Sequence, residues 1–284
     1  MARLTKVHAN LISNVLKKCS AKVSYNPNWQ KIYAELEVGS PDESTRYLLF
    51  TAAQRHQLNE MSAAYFGCSL LMTSFKGSRK EVSHYSRDDK LASIKPDEQY
   101  LLIKPQPLFT AVASDLALRV PLDQIIKLLE SPDNTITHVV VVENLDAFDY
   151  WNEFSVTADL RQALVVYRGH DALAKGVKVL LQRLPKTIEV VAFVDVDPDG
   201  IKIALTTPKA TQILSSDFNS LSLLIKSSSY SKDFDKQHKA VNYMQKHPDH
   251  WPSLQQFIIE RRVSIKQQHL LAFEVPLIMH NRKS

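Results

Sequence analysis

The chain has 284 residues, 44% apolar and 23% charged, proportions of a folded globular protein that set disorder, coiled coil and fibre aside. Its two cysteines, Cys19 and Cys68, are too few for a disulfide framework, and without CxxC or Cys/His clusters they suggest no zinc site and a reducing, cytoplasmic setting. Met1–Lys18 does not read as a secretory signal, and the longest apolar runs fall far short of the roughly 20 residues that span a bilayer, so no membrane insertion is expected.

In chain order, an amphipathic helix is predicted over Leu4–Cys19, strands over Lys31–Val38 and Arg46–Phe50, and a helix over Ala52–Phe66 with Leu58, Met61, Ala64 and Tyr65 at helical spacing. A polar stretch from Phe75 to Glu98, read as a hairpin or exposed loop, precedes an apolar strand at Tyr100–Ile103. Pro121–Glu130 reads as a short helix with Pro121 in its first turn. These pieces suit a small α+β module over residues 1–133, possible as a winged helix, with the domain boundary at the turn Ser131-Pro-Asp-Asn134. After Thr137 come three continuous β-branched runs, His138–Val142, Ala163–Tyr167 and Ile188–Val194, as expected of strands buried on both faces. Helical segments over Asp146–Phe154 and Ala172–Leu184 separate them, which predicts a parallel sheet flanked by helices over residues 134–284.

Ligand chemistry in such sheets sits at the carboxyl ends of the strands. The first run ends at Glu143, the second in Arg168-Gly-His170-Asp171, and the third in Asp195-Val-Asp197-Pro-Asp199-Gly200. Two of only six glycines, Gly169 and Gly200, stand at these ends, which points to a backbone requirement. Carboxylates from neighbouring strands make a negative cleft that needs a cation, and hard oxygen ligands without cysteine favour Mg²⁺ or Mn²⁺. Taken singly, Glu143 also fits an ordinary helix-start carboxylate, and Asp197-Pro-Asp-Gly200 a turn with one Asp as N-cap.

A strand ending in Glu (Val141-Val-Glu143), a middle strand ending in a glycine turn (Val166-Tyr-Arg-Gly169) and a third ending in Asp-x-Asp before a glycine (Phe193-Val-Asp-Val-Asp-Pro-Asp-Gly200) resemble the Toprim domain of topoisomerases, primases and related nucleases. Asn144 departs from the family pattern, which commonly has Gly after the Glu. A Toprim domain placed late in the chain is similar to the topoisomerase VI A subunit, the meiotic double-strand-break proteins and the nuclease subunit of Wadjet plasmid-defence systems, with Arg261–His269 matched to a late helix of that group. The resemblance implies a divalent-metal-dependent DNA endonuclease or nickase that hydrolyses phosphodiesters. Glu143, Asp195 and Asp197 would be catalytic, and these three with Asp199 would hold the Mg²⁺ or Mn²⁺.

Because no motif marks any of Tyr25, Tyr33, Tyr47, Tyr65, Tyr85 or Tyr100 as a covalent nucleophile, water is the expected attacking group. A tyrosine transesterase and a catalytically silent DNA-binding assembly subunit stand as alternatives. The net charge of +5 has its excess late in the chain: residues 201–284 carry 12 Lys and Arg against 6 Asp and Glu, and residues 1–200 carry 23 against 24. Lys236, Lys239, Arg261 and Arg262, with Arg168 and His170 near the strand ends, are therefore the expected DNA contacts, although solvated helix faces explain the basic residues equally well. The expected partners are DNA and an SMC-like or other defence-complex subunit, with the chain as a homodimer in the cytoplasm.

Overall fold

The computed structural model describes residues 4–73, 75–86 and 88–282. Met1–Arg3, at the start of the basic N-terminal segment, and Arg87, in the polar stretch, lie outside them. Two compact units divide the chain, Met1–Pro96 and Asp97–Ser284.

The first unit runs α1 (Lys6–Lys18), β1 (Lys22–Ser24), α2 (Pro27–Leu36), β2 (Ser40–Pro41), β3 (Tyr47–Leu49), α3 (Ala52–Phe66) and α4 (Arg79–Val82). Its three strands form an antiparallel sheet in the order β1-β3-β2. Ile12, Trp29, Ile32, Leu48, Phe50, Leu58 and Phe66 are buried in its core. The strand expected at Lys31–Val38 is instead α2. Asn26 caps it by accepting from the Asn28 and Trp29 N–H groups, Pro27 takes the first turn, and the buried Trp29, Ile32 and Leu36 lie at helical spacing. The polar stretch contains α4 and two short 3₁₀ turns in place of a hairpin.

The second unit continues with β4 (Tyr100–Ile103), β5 (Leu118–Pro121), α5 (Leu122–Leu129), β6 (His138–Val142), α6 (Leu145–Asp149), α7 (Ala158–Arg161), β7 (Leu164–Tyr167), α8 (Asp171–Arg183), β8 (Glu189–Phe193), α9 (Pro198–Thr206) and β9 (Ala210–Ser216). It closes with α10 (Phe218–Ser228), α11 (Ser231–Asp235), α12 (His238–Gln245), α13 (Pro252–Arg261), α14 (Gln267–Ala272) and β10 (Leu277–Asn281). Seven strands lie in the order β10-β9-β8-β6-β7-β4-β5. The central four are parallel, β6, β7 and β8 as their unbroken apolar runs predict and β9 without such a run, and β10, β4 and β5 join antiparallel. Because β4 and β5 belong to this sheet, the boundary lies after Pro96 and not at residue 133. An antiparallel pair preceding the parallel strands leaves no composition signal where it joins them.

Val142, Tyr167 and Phe193 are in register and turn one face of the sheet toward Phe148, Trp151 and Phe154, whose rings pack at 5.0–6.3 Å. On the other face, Val141 lies under α8 and α9. Crossovers from β6 to β7 and from β7 through β8 to β9 thus travel in opposite directions, and the topological switch point falls between the carboxyl ends of β6 and β8.

Candidate active site

Glu143 and Asp195 meet at this switch point. The Glu143 N–H donates to the Phe193 carbonyl at 2.9 Å, extending the ladder one residue past β6, and the Asp195 N–H donates back to Glu143 Oε2 at 3.2 Å. Asn144, the residue that departs from the Toprim pattern, is the N-cap of α6 and accepts from the Asp146 and Ala147 N–H groups, a role glycine has no side chain to fill. Gly200 is required by close approach: a Cβ there would lie 2.1 Å from the Asp195 carbonyl oxygen. Gly169 answers the other expectation, with φ +68°.

Asp197 is the N-cap of α9, so that reading of the acidic turn holds: its Oδ1 accepts from the Gly200 N–H at 2.9 Å. Its Oδ2 accepts from Gln237 Nε2 at 3.0 Å and Lys266 Nζ at 2.7 Å. The same ammonium lies 3.1 Å from Asp195 Oδ2. The two aspartates therefore converge on one cationic nitrogen. Asp199 is exposed, and its backbone N–H donates to Gln237 Oε1 at 2.9 Å, which places it beside the cluster at the mouth.

Lys266, expected from the sequence only as one of the late basic residues lining a phosphate path beside the cleft, and Gln267, which the sequence did not single out, arrive through a backbone bridge in which Val196 and Ile265 exchange hydrogen bonds of 2.8 and 3.1 Å. Gln267 is fully buried and ties the strand ends together. Its Oε1 accepts from the Asn144 N–H, its Nε2 donates to the Phe193 carbonyl, and its own N–H donates to Asp195 Oδ1 at 2.9 Å. Nothing in the sequence separates this glutamine from others, because its partners stand more than 70 residues away.

Burial, then the charge of Asp195, pushes the Glu143 carboxyl up to about 7, against the opposing pull of the Asp195 N–H and Arg168. Burial also raises Asp195, with Lys266 and the Gln267 N–H opposing it. Burial works against the Lys266 ammonium, but Asp197 and then Asp195 hold it protonated well above the ordinary lysine range. A carboxyl poised near neutrality beside a second carboxylate and a fixed ammonium is suited to exchanging a proton.

Arg168 follows β7 and lines a cleft of about 180 Å³ between α8 and α9, together with Lys178 and Thr206. Its Nε is buried without a hydrogen-bond partner among the described residues. His170 is the exposed N-cap residue of α8, without a side-chain cap bond. Lys236 and Arg262 lie next to chain segments that bond Asp197, but each is paired, Lys236 with Asp233 at 2.8 Å and Arg262 with Asp235. Lys239 is exposed, and Arg261 lies over the Phe257 ring.

As a test of the expected divalent ion, Glu143 and Asp195 supply hard oxygens at adjoining strand ends without a soft ligand, and the Lys266 nitrogen shows that cationic charge is accepted there. The donor chemistry fits through Glu143 and Asp195, with Asp195 Oδ1 and Oδ2 held in this structure by the Gln267 N–H and Lys266. Asp197 is already engaged by α9, Gln237 and Lys266, and among the described residues no three His, Cys, Asp or Glu side chains stand as a ready-made metal cage.

No curated protein matches the chain. Residues 93–279, about two thirds of it, match the model of a family described as a domain of unknown function, DUF7281. The match begins just before β4, ends within β10, and takes in Glu143, Asp195, Asp197, Lys266 and Gln267, so on fold unit and site alike the chain belongs to the DUF7281 family.

Proposed function

We propose that the second unit is a divalent-metal-dependent phosphodiesterase acting on DNA by hydrolysis, as an endonuclease or nickase. The observation that carries this reading is the meeting of Glu143 and Asp195 at the switch point of a parallel sheet, with the Lys266 ammonium held between Asp195 and Asp197.

Glu143 and Asp195 would hold the ion, which when bound supplies charge stabilisation to the phosphoryl oxygens. The chain's own groups supply the rest. Without the ion, burial and the Asp195 charge push the Glu143 carboxyl up to about 7, so it would exchange a proton close to neutral pH. Lys266 is held by Asp197 and reaches Asp195 Oδ2, where it neutralises part of the charge that would otherwise repel a phosphate. Gln267 keeps the ends of β6 and β8 at fixed separation, which preserves the Glu143–Asp195 geometry through a catalytic cycle.

The test is conversion of supercoiled plasmid in Mg²⁺, Mn²⁺ or EDTA, comparing wild type with Asp195→Ala, and with products denatured in detergent without protease. Metal-dependent nicking that yields protein-free DNA and vanishes in Asp195→Ala supports hydrolysis. Protein-linked ends would replace it with tyrosine transesterification. No cleavage of any plasmid form, by a folded protein that retains DNA binding, would favour the silent assembly subunit.

A further inference from the structure

Moving the boundary from residue 133 to Pro96 changes what the charge distribution says. Residues 1–96 carry 14 Lys and Arg against 8 Asp and Glu, a net +6, and residues 97–200 carry 9 against 16, a net −7. Summed over residues 1–200, these cancel and conceal that the first unit is basic. It is also separately cored, with its own cluster from Leu4 to Leu91.

Its sheet has two unlike faces. Leu48, in the middle of β3, is fully buried, and Val23, its partner on β1, packs against the same core. The alternate positions point outward: Lys22 and Ser24 on β1, Tyr47 and Leu49 on β3, and Ser40 on β2 are all exposed. Register places Lys22 opposite Leu49 and Ser24 opposite Tyr47, and the Lys22 ammonium reaches diagonally over the Tyr47 ring at 4.9 Å. Lys17 and Lys18, exposed at the end of α1, lead into the Lys22 end of this face, and Arg46, exposed, adjoins its Tyr47 end. Among the described residues, Lys17, Lys18 and Lys22 have no carboxylate at ion-pair distance. An aromatic ring and an aliphatic side chain on a three-stranded face, with three lysines at one end and Arg46 beside Asp42 at the other, match what a nucleic-acid strand presents: bases with π-faces on a backbone of regularly spaced negative charge.

We propose that the outward face of the β1-β3-β2 sheet is a binding surface for single-stranded nucleic acid, with Lys17, Lys18, Lys22 and Arg46 against phosphates and a base against Tyr47 and Leu49. This surface is distinct from the carboxylate site, and its binding is measured in EDTA, so the proposal stands or falls whether or not the second unit cleaves DNA.

The experiment uses the full chain and fluorescein-labelled (dT)20, with anisotropy followed from 50 to 300 mM NaCl. Lys17→Gln/Lys18→Gln/Lys22→Gln should flatten the plot of log Kd against log salt by about 2, three contacts at about 0.7 each for a single strand. Tyr47→Ala should weaken binding roughly 5- to 160-fold with the slope unchanged, as expected for loss of one stacked base, and Tyr47→Phe should restore it. Melting curves check that each variant is folded. An unchanged slope in the folded triple variant would overturn the proposal, as would Tyr47→Ala binding like wild type. Phosphatidylserine vesicles serve as the second polyanion: binding to vesicles while (dT)20 stays free would assign the face to a membrane surface and overturn it equally.

Discussion

Replacing Glu143 by Gln tests the electrostatics of the candidate site without relying on any assay of activity. Below about pH 4.5 the carboxyl is protonated in both folded and unfolded chains and adds no pH-dependent term. Between about 4.5 and 7 only the folded chain keeps the proton, so stability falls as pH rises through that window, and above 7 the full penalty applies. A rise from 4.5 to about 7 corresponds to about 3 kcal/mol at the alkaline end. Glutamine keeps an oxygen to accept from the Asp195 N–H but never ionises, so it removes the penalty and keeps the contact. At roughly 2–4 °C per kcal/mol for a unit of this size, Glu143→Gln should melt roughly 6–12 °C above wild type at pH 8 and level with it at pH 4.5. The assay is thermal denaturation in EDTA across that range, repeated with Mn²⁺. An ion that favours the carboxylate should raise wild type at pH 8 and close much of the gap. A variant level with wild type at pH 4.5 that melts progressively further below it as pH rises would show that Glu143 is stabilised as an anion, and would refute the reasoning.

Lys266→Met leaves the buried Asp197 and the largely buried Asp195 without their shared cation. It should cost about 2–3 kcal/mol at pH 7, less than the full loss of a buried pair because Gly200, Gln237 and Gln267 still donate to the two carboxylates, with denaturant titration as the measure. That deficit should shrink as pH falls and Asp195 takes up a proton. Gly200→Ala should not yield a stable fold, since its methyl group would meet the Asp195 carbonyl at 2.1 Å with only backbone available to move; a soluble variant with a native melting temperature would contradict the geometry. Of the late basic residues, Lys239→Gln with Arg261→Gln should lower the salt slope of duplex DNA binding more than Lys236→Gln with Arg262→Gln, because the latter two are already neutralised by Asp233 and Asp235; the reverse ranking would show that those ion pairs open on binding.

The sequence by itself determined the centre of the second unit. Continuous β-branched runs at His138–Val142, Ala163–Tyr167 and Ile188–Val194 have no polar side to turn to water, so burial on both faces and parallel pairing follow, and Glu143, Gly169, Asp195 and Gly200 fall at strand ends as a matter of chain position. Helices with strong local signals were legible too: α3 begins after the Thr51 capping box and ends at Gly67, and α5 shows its apolar stripe at Leu122, Ile125, Ile126 and Leu129.

Tertiary structure decided what depends on partners distant along the chain. The segment Lys31–Leu36 alternates enough to read as a strand, and becomes a helix because the Asn26–Pro27 cap and the core around Trp29 and Ile32 favour it together. The strand β9 carries Thr, Gln and Ser among its apolar residues and extends between β8 and β10 because both neighbours satisfy its backbone. Lys266 and Gln267 enter the site only through the Val196–Ile265 bridge, and a contact across some 70 residues leaves no periodicity to detect. The basic character of the first unit emerged only once β4 and β5 were seen to belong to the other sheet, because net charge is a property of a folded unit and cannot be partitioned before the units are known.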